Sequence, residues 1–494
     1  MELVLHLEYK PSVPLFRRLS DALRKAIVDG RLSPGQRLPS VRDLSSSLRI
    51  SRATVLRSLE DLHSQGYLES SPRSGAHVRR TLPGELGGIR ASYPDERALR
   101  SHQVAPVGLS VYGARLLEND ASERATAFLY PETNYGGPPL DLAPLKQWKD
   151  LLVRHCRKRD LCEQEYILEP FGYPPLRQAV AAFLRQSRAV RCTAEQIMVF
   201  SSRQARLSIL ARVLLDPGDH VAVENPGFPG FRHVAAPYGA IIDPVPIDGE
   251  GISVESLRRL RPAPKLVYVT PSPHDPTGVV MSLARRKELL AWAHSTATLV
   301  LEDDFDCEYC YEGQLLPSLQ GIDYGNIVIY RRCFWKVLFP VLRLGFLVIP
   351  KQLVPIMSLA KAKVERDVPL LEQLALTDFI NEGHLERHIL RISKVYDARR
   401  QAMVKALTRY CASFISISKA SSGMHLIIWI HSTLSDEELH ALAFEAGISM
   451  LTTGPYYVGQ PRRGEFMISF AQHDELEIEA TVKQLARLLN QRGG

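Results

Sequence analysis

The sequence predicts an α/β protein in two parts: three helices and a hairpin in the layout of a winged helix-turn-helix, then, after a linker, a large domain on a mostly parallel sheet. Three observations carry this. The first eighty residues hold three helix-period segments and two short strand candidates; beyond residue 123 strand-length apolar runs alternate with helical segments; and the charge is uneven. Of a net +7 over 494 residues, residues 1–80 carry fourteen Lys and Arg against eight Asp and Glu. The basic end is the N-terminus, which suggests a polyanion partner for it.

Taken in order, "PLFRRLSDALRKAIVDG" places apolar residues at Leu15, Leu19, Leu23, Ile27 and Val28, a helical stripe that closes on Gly30. After the turn-rich "RLSPGQRLPS", Ser40 can cap a second helix over "VRDLSSSLR". Ser51 can cap a third over "RATVLRSLEDLHSQG", with a stripe through Val55, Leu59 and Leu62 and a stop at Gly66. "YLES" and "AHVR" are strand candidates joined by the turn-forming "SPRSG". In this layout the third helix enters the major groove of double-stranded DNA. Its polar face, Ser51, Arg52, Thr54 and Arg57, can reach base edges and phosphates, and Arg42 begins the preceding helix.

Residues 81–123 hold Gly, Pro, Arg and Ser without a sustained period and read as a linker with a short helix. Beyond it "QIMVF", "HVAVE", "KLVYVT", "TLVLEDD", "NIVIY" and "GFLVIP" read as strands, and "QARLSILARVLL" and "SLARRKELLAWAHS" as helices between them. No apolar run is long enough for a membrane span, and "MELVLHLEYK" lacks the features of a signal peptide, so a cytoplasmic protein is expected. Seven scattered cysteines fit reduced thiols. Cys307 and Cys310 form C-x-x-C without a second ligand pair, and His384 and His388 in "HLERH" sit in an amphipathic helical pattern, so no metal is expected.

One stretch stands apart. "RRCFWKVLFPVLRLGFLV" holds a single lysine, Lys336, among large apolar residues, with Arg343 seven positions on. Burial favours the neutral amine, the form that attacks a carbonyl; the alternative is a core lysine with an unseen partner. Strand ends are where open α/β sheets place ligands, and "TLVLEDDFD" delivers Asp303 and Asp304 at such an end. An acid, a buried lysine and an arginine are the parts that hold pyridoxal phosphate: they serve its pyridine nitrogen, its aldehyde and its phosphate.

"LPSVRDLSSSLRISRATVLRSLEDLHSQGYLESSPRSGAHV" resembles the DNA-binding domain of GntR-type regulators over nearly its full length. The resemblance implies DNA contacts from Arg42, Ser51, Arg52, Thr54 and the wing-tip Ser74 and Gly75, the last lacking a side chain so that backbone can approach. From about Asp141 to Leu489 the chain resembles the fold-type I aminotransferases, and most closely the aminotransferase-like half of MocR/GabR-type regulators. Stretches that carry this are "DLAPLKQWKDLL", "VENPGFPGFR", "VYVTPSPHDPTGVVMSLARRKELL", "LVLEDDFDCEY" and "LFPVLRLGFLVIP".

The implied organisation is a winged helix-turn-helix at 1–80, a linker at 81–123 and an aminotransferase-like effector domain at 124–494, with a large α/β and a small C-terminal α+β part. The implied roles are Lys336 as Schiff-base lysine, Asp303 at the pyridine nitrogen, Arg343 on the phosphate and Phe228 stacked on the ring. Several positions depart from the family's pattern. "SSRQ" puts Ser202 and Arg203 in the phosphate turn; Arg332, Cys333 and Trp335 replace the small polar residues before the lysine; and Phe305 stands for a tyrosine. Asp275, which the resemblance puts beside the cofactor's phenolic oxygen, precedes "PTG" where aminotransferases have asparagine; "YILEPFG" replaces a glycine-rich turn; and Met467 stands for the arginine that takes the substrate carboxylate, with Arg462 and Arg463 nearby as candidates for binding the effector.

The expectation is a regulator that binds an operator as a head-to-tail homodimer. It would sense an amine or amino-acid metabolite through an external aldimine at Lys336, with transaminase activity at most weak and no catalytic residue assigned. Two other readings share the architecture: an effector domain that has lost the cofactor, and a working aminotransferase with an added DNA-binding domain.

Overall fold

The computed structural model describes residues 13–71, 75–81, 108–118, 138–157, 169–313, 315–338, 342–418 and 421–492. The chain divides into two compact units, Met1–Val107 and Gly108–Gly494.

In the first unit the three expected helices form: α1 (Leu15–Val28), α2 (Val41–Leu48) and α3 (Arg52–Ser64). Ser40 Oγ accepts from Asp43 N at 3.2 Å and Ser51 Oγ from Thr54 N at 3.1 Å, so both expected caps are in place. Strands β1 (Leu68–Ser71) and β2 (Gly75–Val78) pair antiparallel as the wing, and Arg37 bridges to His77 beside it. The tip residues 72–74, with Ser74 among them, lie outside the described residues. Leu19, Leu23, Ala26, Ile27, Leu44, Val55 and Leu62 make the core. Val28, expected on the buried stripe, is instead exposed. At 3.6 residues per turn the face that holds Leu19 and Leu23 returns at Ala26 and Ile27 and has passed by Val28.

The second unit is built on an eight-stranded sheet in the order β3 (Ile197–Phe200), β10 (Gly345–Val348), β9 (Val328–Cys333), β8 (Leu299–Asp303), β7 (Leu266–Val269), β4 (His220–Asn225), β5 (Ile241–Asp248), β6 (Gly251–Ile252). Strands β9, β8, β7, β4 and β5 run parallel, while β10 runs against both its neighbours. All six quoted strand runs form. Strands β3, β7 and β10 are buried along their whole length, as expected of a sheet covered on both faces. A four-stranded antiparallel sheet, β11 (Ile415–Ile417), β12 (His425–Ile430), β14 (Glu465–Ser469) and β13 (Met450–Thr452), forms the smaller C-terminal part. Helices His384–Tyr410 and Glu475–Arg492 pack on it through Ile392, Met403, Val482 and Leu485.

Residues 111–118, inside the stretch read as a linker, form a helix in this second unit. Among the described residues no helix is long and apolar enough to cross a membrane, and no three His, Cys, Asp or Glu side chains gather as a metal site. The two histidines of "HLERH" part company: His388 is buried with Nε2 2.7 Å from Val337 O, and His384 sits beside Glu382. Because the parallel strands share a direction, their carboxyl ends and the loops after them meet at one edge of the sheet.

Candidate functional site

Lys336 lies in the turn after β9, buried, with Nζ 3.4 Å from Asp306 Oδ2. The same nitrogen stands 3.5 Å above the centroid of the Phe305 ring and 5.5 Å from that of Trp335. The unseen partner of the buried lysine is thus Asp306, in the turn after β8, held at a left-handed φ of 49°. Asp306 is fully enclosed; burial pushes its carboxyl up to about 6 against the pull of Lys336, and its Oδ1 has no hydrogen-bond partner.

Asp303, the last residue of β8, accepts from Tyr268 Oη at 2.5 Å and is ion-paired with Arg331. The two face each other in parallel register, Asp303 on β8 against Arg331 on β9. The acid placed for a pyridine nitrogen therefore already has a guanidinium beside it.

Asp275, after β7, is also buried, and burial pushes its carboxyl up to about 7, with Lys336 opposing and Asp306 adding to the rise. The Tyr456 hydroxyl donates to it, and its Oδ1 has no partner. Behind it Glu224 accepts from Thr270 N at 2.9 Å and Thr270 Oγ1 at 2.8 Å, and burial raises it to about 8. Burial lowers the neighbouring imidazoles, His274 to about 3 and His425 to about 4, so both are neutral at physiological pH.

These carboxyls tie folding to pH. Each binds its proton more tightly in the folded chain than an exposed carboxyl does in the unfolded one, so the stability these three contribute is full below about pH 4 and is lost as pH rises toward 8, while the two neutral imidazoles work the other way below about pH 6.5. Asp275→Asn is expected to remove its share of that slope, at most about 1.4 kcal/mol per pH unit. Denaturant midpoints measured from pH 5 to 8 check this.

Phe228 follows β4, its ring centroid 6.4 Å from that of Tyr268, and Gly230 makes room for it, since a Cβ there would lie 2.2 Å from the ring. The Arg203 guanidinium lies 5.6 Å from the Phe228 centroid. Ser202 Oγ caps the helix Arg203–Leu214, accepting from Ala205 N at 3.3 Å. Arg206, in that helix's first turn, is buried: Nη1 donates to Arg332 O at 2.6 Å and Nε has no partner. Burial, with Arg331 nearby, pushes its guanidinium down to about 9. Arg343 is exposed just before β10 and has no ion-pair partner among the described residues.

The two remaining candidates turn elsewhere. Arg463 donates to Thr433 O at 2.7 Å and Leu434 O at 3.0 Å, and the exposed Arg462 is 3.8 Å from Glu465. Neither touches Lys336, Phe228 or Asp303. Met467 is buried with Ile427, Leu451 and Tyr456, and Phe228 and Trp429 pack on that cluster.

In the first unit Arg42 and Arg52 are exposed at the starts of α2 and α3. Thr54 is engaged with the cap, its Oγ1 2.8 Å from Ser51 Oγ, and the Arg57 guanidinium covers the Phe16 ring at 4.2 Å. Gly75 has φ 84°, and a Cβ there would lie 3.7 Å from Arg37 Nε, which brings a further cation to the wing. Arg37, Arg206, Asp306 and Arg331 are residues at the candidate sites that sequence reasoning missed; a count of charges inside otherwise apolar segments would have flagged Arg331.

A basic winged helix unit ahead of an aminotransferase-like unit defines a DNA-binding regulator built on an enzyme fold. Residues 15–78 match the bacterial regulatory proteins of the gntR family, and residues 144–485 match aminotransferase class I and II. The chain is 32% identical over 487 residues to the probable rhizopine catabolism regulatory protein MocR of Rhizobium meliloti, covering 98% of this chain and 95% of that one. It is 26% identical over 460 residues to the pyridoxine biosynthesis transcriptional regulator PdxR of Corynebacterium glutamicum, covering 93% and 92%. Among solved structures it is similar to LysN, the α-aminoadipate aminotransferase of Thermus thermophilus complexed with N-(5'-phosphopyridoxyl)-L-leucine. The TM-score is 0.67 at 27% identity, over 78% of this chain and 97% of that one. The chain belongs to the MocR/GabR-type subfamily of GntR transcriptional regulators.

Proposed function

We propose that this regulator holds pyridoxal phosphate at Lys336, senses a primary amine there, and reports its presence to an operator read by α3 and the wing. The observation that carries the reading is Lys336 itself: a buried amine at the carboxyl edge of the sheet, on an aromatic face and 3.4 Å from one carboxylate.

The side chains around it fit the group. Lys336 would take the aldehyde and Phe228 the ring face. The capped helix start at Ser202, with Arg203, Arg206 and Arg343, would take the phosphate; the unpartnered Nε of buried Arg206 is a donor in want of an anion. Asp303 would face the pyridine nitrogen, sharing its charge with Arg331. When bound, the cofactor would supply an aldehyde carbon for imine chemistry with a primary amine, and Lys336 would hold the proton that the amine gives up. Arg331 draws charge from Asp303, which lessens the hold on a pyridine proton and favours holding a ligand over turnover. A ligand that favours one domain arrangement then shifts operator affinity by its differential affinity for the two. We place the protein in the bacterial cytoplasm, as a head-to-tail homodimer whose two winged units read paired half-sites.

Borohydride reduction with pyridoxal phosphate, followed by peptide mass analysis, is expected to fix one cofactor on Lys336, and Lys336→Ala to abolish the adduct. Operator affinity by fluorescence anisotropy is expected to change with effector in the parent protein and not in Lys336→Ala. A second reading, a domain that has given up the cofactor, is favoured by the Asp303–Arg331 pair; no adduct at saturating cofactor would establish it.

A further inference from the structure

We infer that the ligand read at Lys336 is a diamine-type molecule without an α-carboxylate, its second ammonium held by Asp275 and Asp306. The inference rests on the proposed function and names the ligand class for the same site.

Two observations point the same way. Asp275 and Asp306 are both buried, both bear on Lys336, and each leaves Oδ1 without a hydrogen-bond partner. A buried acceptor without a donor is destabilising, and a ligand ammonium with three N–H groups would satisfy it. The neighbouring imidazoles, His274 and His425, are held neutral, so in the free protein Lys336 is the cation that acts most on both acids, with Arg203 also bearing on Asp275.

The second observation is on the small sheet. Met467, at the position of the arginine that takes a substrate carboxylate in ordinary aminotransferases, is sealed into an apolar cluster with Ile427, Leu451 and Tyr456. Arg463 is bound to carbonyls of a surface turn, and Arg462 is exposed beside Glu465. Arg203, the guanidinium nearest Phe228, stands at the helix start assigned to the phosphate. An α-carboxylate brought to this pocket would meet two acids and an apolar wall, without a cation of its own.

Three probes on one carbon skeleton separate the parts of the claim: 1,5-diaminopentane, pentylamine, which lacks the second ammonium, and L-lysine, which adds the carboxylate. With the full-length protein loaded with pyridoxal phosphate, each is titrated against the visible absorbance of the bound cofactor. Diaminopentane is expected to bind at least tenfold more tightly than either of the others. Asp306→Asn, whose asparagine accepts a left-handed φ, is expected to erase the preference over pentylamine. Asp275→Asn, with the residue usual in aminotransferases, makes the same test should the first variant fail to fold. Lysine binding as tightly as diaminopentane overturns the inference, and so does pentylamine binding as tightly. The borohydride control tells the two failures apart. An adduct with the wrong ranking sinks this inference alone, whereas no adduct sinks the cofactor reading and this one with it.

Discussion

Arg188→Ala is expected to lower the stability of the second unit by about 3–5 kcal/mol, the cost of leaving one member of a buried ion pair alone. Arg188 ends the helix Pro174–Arg188 and clasps Asp304 with two bonds, Nε to Oδ2 at 2.7 Å and Nη2 to Oδ1 at 2.9 Å. Its side chain is 1% exposed and that of Asp304 0%. Nη1 donates to Leu316 O at 2.7 Å, and Tyr330 Oη donates to Asp304 Oδ2 at 2.6 Å, so the carboxylate is fully engaged. Burial works against its charge, and Arg188 more than offsets this, holding the Asp304 carboxyl below its ordinary value. Without the guanidinium, only the Tyr330 hydrogen bond and Arg332 oppose burial, and the carboxyl rises. The destabilisation should therefore be larger at pH 8 than at pH 5, where the orphaned acid can protonate. Denaturant midpoints at the two pH values measure this. Arg188→Met combined with Asp304→Leu should recover much of the loss, because an apolar pair asks for no charge compensation. Asp304 lies between Asp303 and Phe305, so the pair also fixes the strand end on which the site stands.

Residues with short-range causes were legible in the sequence. The caps at Ser40 and Ser51 need only a serine three residues before a free N–H, and the helices of the first unit follow from their stripes. The strands of the large sheet were legible because burial on both faces demands unbroken apolar runs, and Lys336 stood out against one of them. Its surroundings were not legible. Asp303 meets Arg331 because β8 and β9 pair in one particular parallel register, which neither strand encodes alone. Asp306 reaches Lys336 through a left-handed turn of a non-glycine residue, for which the sequence carries no marker. Arg206 sits in a segment that reads as an ordinary amphipathic helix, where an arginine is expected to face water; here it packs against β9 and β10 at Arg332 and Gly345. Arg462 and Arg463 illustrate the converse, since nearness in sequence to Met467 placed them at the site while the turn carries them to the surface.

Leu23→Ala should bring the first unit to melt far earlier and weaken operator binding without touching the site. Leu23 is fully buried in a core that Leu19, Ala26, Ile27, Leu44, Val55 and Leu62 share, and its truncation leaves a cavity worth about 2–5 kcal/mol. A domain of some seventy residues carries about 4–10 kcal/mol in total, so this one change consumes about half of its margin. The helix α1 that carries Leu23 also receives Ser58 Oγ of α3 on Phe16 O at 2.7 Å, so loosening α1 removes the support of the reading helix. Arg52→Ala provides the contrast. Arg52 is exposed at the start of α3 and supports nothing in the fold, so its loss should cost about 1–3 kcal/mol of operator affinity and leave the melting of the unit unchanged. Differential scanning calorimetry beside operator titration separates the two. Leu23→Ala should move the transition of the first unit to a much lower temperature and keep that of the second together with the borohydride adduct at Lys336, whereas Arg52→Ala should keep both transitions. Loss of the second transition in Leu23→Ala would show that the two compact units do not fold independently.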